Sequence, residues 1–169
     1  KQLKYQVGIG FRYDDVNDVQ LSRTKNRKEL LERLAFGNVD ELNAFSFFNL
    51  NYKVNKWTLN PGLRLDYFTF DYEDLLSVTY DSKSENKALL SPKMNFIYAA
   101  SSRIQFFLKT GLGYHSNDTR VVTAQNGEQI LPTAFSADLG TVLKPTDRLA
   151  INAALWSLFL QQEFVYVGD

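Results

Sequence analysis

The sequence predicts an all-β fold: an antiparallel, up-and-down sheet of about seven strands, forming a segment of a larger transmembrane β-barrel. Three observations lead there. Side chains alternate between apolar and polar over long stretches, tight turns alternate with long polar connections, and Tyr and Trp collect near the strand ends.

The first strand, 3–15, sets the pattern. Leu3, Tyr5, Val7, Ile9, Phe11 and Tyr13 alternate with Lys4, Gln6, Gly8, Gly10, Arg12 and Asp14. Successive strand residues point to opposite faces, so one face is apolar and the other polar. In the second strand, 42–54, Leu42, Ala44, Ser46, Phe48, Leu50, Tyr52 and Val54 oppose Asn43, Asn49, Asn51 and Lys53, while Phe45 and Phe47 interrupt the polar face. The third, 57–71, sets Trp57, Leu59, Pro61, Leu63, Leu65 and Tyr67 against Thr58, Asn60, Gly62, Arg64 and Asp66. The same reading gives strands over 88–99, 103–116, 134–144 and 148–161, the last with a mixed face of Asn152, Ala154 and Trp156.

Connections near 54–56, 100–102 and 145–147 are tight and rich in Asn, Ser, Pro and Asp. Those near 16–41, 72–87 and 117–133 are long and polar. Strict alternation places all short turns at one end and all long loops at the other, as in an outer-membrane barrel. One loop is expected to hold a short helix over 26–37: Asn26 as N-cap, Glu29 three residues on, then Leu30, Leu31, Leu34 and Ala35, with Gly37 as the stop. It reads as a turn packed on the barrel rim, a partner-binding helix being the alternative.

Periodicity alone does not say which face meets water, because a soluble barrel turns its apolar face inward and a membrane barrel turns it outward. Glycine occurs repeatedly on the polar face, at 8, 10, 62, 111, 113 and 140, where a crowded inner wall has use for it. Tyr5, Tyr13, Tyr52, Trp57, Tyr67, Tyr98 and Tyr114 suit the two bilayer interfaces. These features favour the membrane, with lipid as partner of the apolar face. A seven-stranded sheet in lipid has two unpaired edges, which hydrocarbon does not solvate, so the chain is expected to be part of a longer barrel. An eighth strand near Phe164–Val167 is the alternative.

Composition excludes other classes. In 169 residues, 19 basic side chains balance 19 acidic ones, without the excess that nucleic-acid binding uses. The chain has no cysteine, so thiol catalysis and cysteine-based metal sites are out. His115 is the single histidine, and Ser116 and Asp118 beside it do not converge as a catalytic triad must. No enzyme, cofactor or metal site is therefore expected. Asp14-Asp15 and the Asp71–Asp74 run lack the spacing of a calcium loop and read as solvated acids. Arg12, Arg64, Asp66, Lys93, Lys109, Asp138 and His115 share the polar face and are expected to line a lumen. Candidate ligand contacts toward the loop end are Arg64, Asp66, His115, Asp118 and Arg120. The stretch Ser116-Asn117-Asp118 reads equally well as a strand-capping turn.

Specific motifs add a resemblance. Leu63-Arg64-Leu65-Asp66-Tyr67-Phe68, the Ser91-Pro92-Lys93 strand start, Gly113-Tyr114-His115-Ser116-Asn117-Asp118-Thr119-Arg120, and the stretch from Ala153-Ala154-Leu155-Trp156 to Val167-Gly168-Asp169 occur in that order. Together they resemble the barrel strands of TonB-dependent receptors, over most of 42–169. The resemblance implies a barrel of about 22 strands with a plugged lumen. It also implies a bacterial outer-membrane location, coupling to the TonB complex through a plug domain absent from this sequence, and import of a scarce small-molecule cargo such as an iron–siderophore complex, haem or cobalamin. Charges on the inner wall would then pair with one another or meet the plug. A small self-contained outer-membrane barrel with a structural or adhesive role, or a soluble ligand-binding barrel, are the other readings.

Overall fold

The computed structural model describes residues 1–77, 81–115, 119 and 131–161. Seven strands follow one another: β1 (Gln2–Lys25), β2 (Glu29–Val54), β3 (Trp57–Asp74), β4 (Asp81–Ala99), β5 (Ile104–Tyr114), β6 (Thr133–Thr146) and β7 (Leu149–Leu160). They form one sheet in chain order, each strand antiparallel to the next. The sheet is half a barrel, with β1 and β7 as its edges. Residues 162–169, where the alternative eighth strand falls, lie outside the described residues.

Burial tells the two faces apart. The strand residues with side chains that have almost no exposure, Asp66, Phe68, Phe70 and Phe107, all sit on the polar face, which is therefore the inner wall. The apolar face points outward: Leu3, Tyr5, Val7, Ile9 and Phe11 are exposed in succession, Ile9 to 85%. Trp57 and Tyr98, directly paired at the turn end, pack with ring centroids 4.7 Å apart and planes tilted by 41°. Ten residues separate Trp57 from Tyr67 along β3, the length a tilted strand uses to cross hydrocarbon.

The apolar interruption at Phe45 and Phe47 has a cross-strand cause. Phe45 lies opposite Gly10 and Phe47 opposite Gly8, and each ring reaches into the space that a glycine leaves free. Phe107 does the same over Gly140. A large ring covering a strand glycine protects its backbone and fills the wall without adding width. A side chain at Gly10 would start 2.5 Å from Phe45 Cζ. Phe45 has little freedom to yield, because Arg64 stacks on it at 3.8 Å from the ring centroid. Gly10→Val is therefore expected to destabilise the barrel by about 1–3 kcal/mol. Urea unfolding in lipid vesicles reads the loss, and an unchanged midpoint would mean that Phe45 moves aside freely.

Two expectations need correction. The predicted helix over 26–37 is instead the tip and first part of a β-hairpin. Asn26 and Arg27 take positive φ values, 52° and 57°, and Lys28 N–H donates to the Lys25 carbonyl at 3.1 Å. Paired positive-φ residues make the tight hairpin turn that matches strand twist, and Asn, which reads as a helix cap, tolerates that conformation equally well. Residues 29–37 then pair along β1, with register shifts after Val16, Leu21 and Arg23. Pairing with a distant strand overrides the local helical spacing of Leu30, Leu31 and Leu34. The connections at 16–41 and 72–87 are also largely strand, so β1 and β2 run to 24 and 26 residues. They continue well past the length that spans a bilayer.

Candidate functional site

The inner wall is built around one carboxylate. Asp66 is fully buried, and Arg64, two residues along β3 on the same face, grips it with two parallel bonds. Arg64 Nε donates to Oδ2 and Nη2 to Oδ1, both at 2.8 Å, and Asn43 Nδ2 on β2 donates to Oδ1 at 3.1 Å. Tyr114 of β5 lies beside this carboxylate and interacts with it electrostatically. A buried charge persists only when its lone pairs are satisfied, and here they are. The guanidinium, 38% exposed by side chain, lies against Phe45 on one side. It is held in one orientation while part of it faces the lumen, which suits planar recognition of an oxyanion.

Above this group, toward the long connections, Phe68, Phe70 and Leu131 form a small apolar core with Leu89 and Tyr114 packed on it. Alternation assigns Tyr114 to the outer face, beside Leu112. In the structure its ring instead meets Phe68 edge-on, with centroids 5.5 Å apart. The β4–β5 ladder ends at Lys93 opposite Gly111, so the last residues of β5 are released from the β4 register and turn toward β3. His115 follows at the end of β5, its backbone N–H bonded to the Pro132 carbonyl at 3.0 Å and its residue surface exposed. Thr119 Oγ1 donates to Glu41 Oε2 at 3.4 Å, fastening the connection after β5 to the upper part of β2.

Of the five ligand residues expected from sequence, the structure brings Arg64 and Asp66 together and sets His115 one residue beyond Tyr114. Asp118 and Arg120 lie outside the described residues. The sequence reading overlooked Asn43, Phe45 and Tyr114, which complete the group. Two of them could have been found. The tight turn at Asn55-Lys56 pairs Val54 with Trp57, and counting back equally along both strands sets Phe45 opposite Asp66 and Asn43 opposite Phe68.

Below Arg64, toward the tight turns, two adjoining cavities of about 370 Å³ each open on the inner wall. Gln6, Asn49 and Lys93 line both. No cluster of three or more His, Asp or Glu able to hold a metal ion occurs among the described residues.

Comparison with known proteins agrees with this geometry. The family described as TonB dependent receptor-like, beta-barrel matches residues 2–169. Among solved structures, the unliganded ferric citrate transporter FecA is similar at TM-score 0.69 and 16% identity, over 94% of this chain and 25% of that one. The closed form of the ferric-catecholate import receptor Fiu from E. coli K12 is similar at TM-score 0.65 and 13% identity, over 92% of this chain and 28% of that one. The likeness at these identities is one of fold, and the chain spans about a quarter of the length of each structure. No curated protein sequence matches the chain. The family match over nearly every residue, on an up-and-down sheet with a polar inner wall, means that the chain belongs to the TonB-dependent receptor β-barrel family.

Proposed function

We propose that this chain is part of the wall of an outer-membrane receptor that imports a scarce small-molecule nutrient, such as an iron–siderophore complex, haem or cobalamin, and that it is not an enzyme. The observation that carries the reading is the family match over residues 2–169 on a sheet whose outer face is apolar and whose inner wall is polar. In this reading lipid covers the outer face. A plug domain outside this sequence occupies the lumen and receives energy from the TonB complex. The barrel stays fixed while the plug rearranges.

Within the wall, Arg64 is the proposed cargo contact, with Asp66 acting through it as the group that orients the guanidinium. His115, Asp118 and Arg120 are proposed to meet cargo nearer the entrance.

A spin label at Ile9 tests the membrane placement in the full-length receptor reconstituted in lipid. Lipid-soluble oxygen is expected to relax the label strongly, with little effect from an aqueous nickel chelate. The reverse ranking would place that face in water and sink the reading.

A further inference from the structure

We propose that the turn-side half of the inner wall is an anion site, in which Lys93, between Arg64 and Lys4, receives a carboxylate or phosphate group. The proposal rests on the reading of the polar face as the inner wall of the barrel. It names a ligand class for a part of the wall below the Arg64–Asp66 pair.

Charge on this wall is uneven. Between the tight turns and Arg64, the cross-strand register puts Lys4, Lys53, Lys93 and Lys109 on the inner face against a single acid, Asp138. None of these five side chains makes an ion pair among the described residues, whose pairs are Arg12–Asp14, Arg64–Asp66 and Arg103–Asp147. Asp66, four residues along β3 from the cross-strand partner of Lys93, is already engaged by Arg64 and Asn43. Lys93 thus stands in a wall of unmatched positive charge.

The surroundings are shaped for a polar guest. Lys93 lines both 370 Å³ cavities with Gln6 and Asn49, Lys4 lines one of them, and Arg64 the other. Gly62 sets the lysine's course. It pairs with Lys93 across the β3–β4 ladder, and a Cβ there would lie 3.0 Å from Lys93 Cγ and 2.6 Å from Asn49 Oδ1. The lysine stem and the Asn49 amide oxygen therefore both lie over the space that the glycine leaves free. Ammonium, guanidinium and amide donors around an open cavity match the acceptor oxygens of a carboxylate or phosphate.

The ligand group has two possible sources: a free anionic solute, or a carboxylate elsewhere on the receptor. Calorimetry on the full-length receptor in detergent separates them, with citrate and inorganic phosphate as probes and maltose as neutral control. Citrate is expected to bind saturably. Lys93→Gln and Gly62→Ala are each expected to weaken it about tenfold or more, from loss or displacement of one charge-assisted contact. Lys93→Arg should retain binding, which a merely structural role for the lysine does not predict. A second arm treats the receptor with a zero-length carbodiimide. If a carboxylate of the receptor itself fills the site, citrate does not bind and Lys93 is recovered in an amide bond to Asp or Glu. That outcome supports the site with an internal occupant. Absence of both anion binding and a Lys93 cross-link overturns the proposal, as does undiminished citrate binding by Lys93→Gln. An Ile9 label relaxed by oxygen in the same receptor shows that such a failure belongs to the anion site and not to the barrel reading.

Discussion

Replacing Arg64 by Met is expected to cost the folded barrel about 3–5 kcal/mol, the largest effect of any single inner-wall change considered. The reason lies in what is left behind. Asp66 has no exposed surface, and without Arg64 its carboxylate keeps the Asn43 hydrogen bond but no compensating positive charge. Asp66→Leu is expected to cost less, about 2 kcal/mol, because the orphaned guanidinium already has 38% of its side chain exposed and can turn toward water. The double variant removes both charges and leaves two apolar side chains beside Phe45 and Phe68. It is expected to be clearly more stable than Arg64→Met alone, since an apolar replacement of a buried pair is often close to neutral. Urea unfolding of the reconstituted receptor closes the cycle. Losses that simply add across the two single variants would show that the residues do not act as a pair, and the geometry at 2.8 Å would then carry no energetic weight.

The same group shows what was legible in the sequence. Face assignment depends on a period of two, so Arg64 and Asp66 could be placed on one wall without a structure. The tight turns at Asn55 and near 100–102 and 145–147 were equally plain, because residue chemistry that favours turns marks them locally. The predicted centres of all seven strands therefore agree with the structure. Strand ends at the long connections were not legible. Residues 16–41 are polar and carry a helix-like spacing of leucines, and only pairing between distant residues such as Gln20 and Phe36 makes them strand. Tyr114 was misplaced for a related reason. Alternation assumes a continuous ladder, and the ladder to β4 stops at Gly111, three residues earlier. Phe45 and Phe47 looked like errors in the pattern, but they are its consequence: glycines on one strand demand rings on the next. For the candidate ligand residues, sequence places Arg64 and Asp66 on one face. It does not show that the carboxylate is enclosed and the guanidinium only partly so.

On the outer face the decisive experiment is a depth series of arginines along β3. Leu63 is 43% exposed, with Phe48 and Pro92 as its cross-strand neighbours, and lies near the midpoint between Trp57 and Tyr67. Leu63→Arg is expected to destabilise the barrel by about 2–4 kcal/mol, the cost of a cationic side chain facing lipid at the bilayer midplane. Leu65→Arg, two residues from the Tyr67 girdle, is expected to cost less, because its long stem lets the charge reach the interface. Asn60→Arg points the other way, into the polar cavity it shares with Asn49 and Asn95, and is expected to be mild. The ranking matters more than any single value. A soluble barrel with the same sheet would tolerate Arg at both leucines, since these side chains would then face water. A chain whose apolar face were covered by another protein surface would penalise 63 and 65 alike, without regard to distance from Tyr67. A cost that is large at 63, smaller at 65 and slight at 60 follows only when the outer wall meets hydrocarbon and the inner wall meets water.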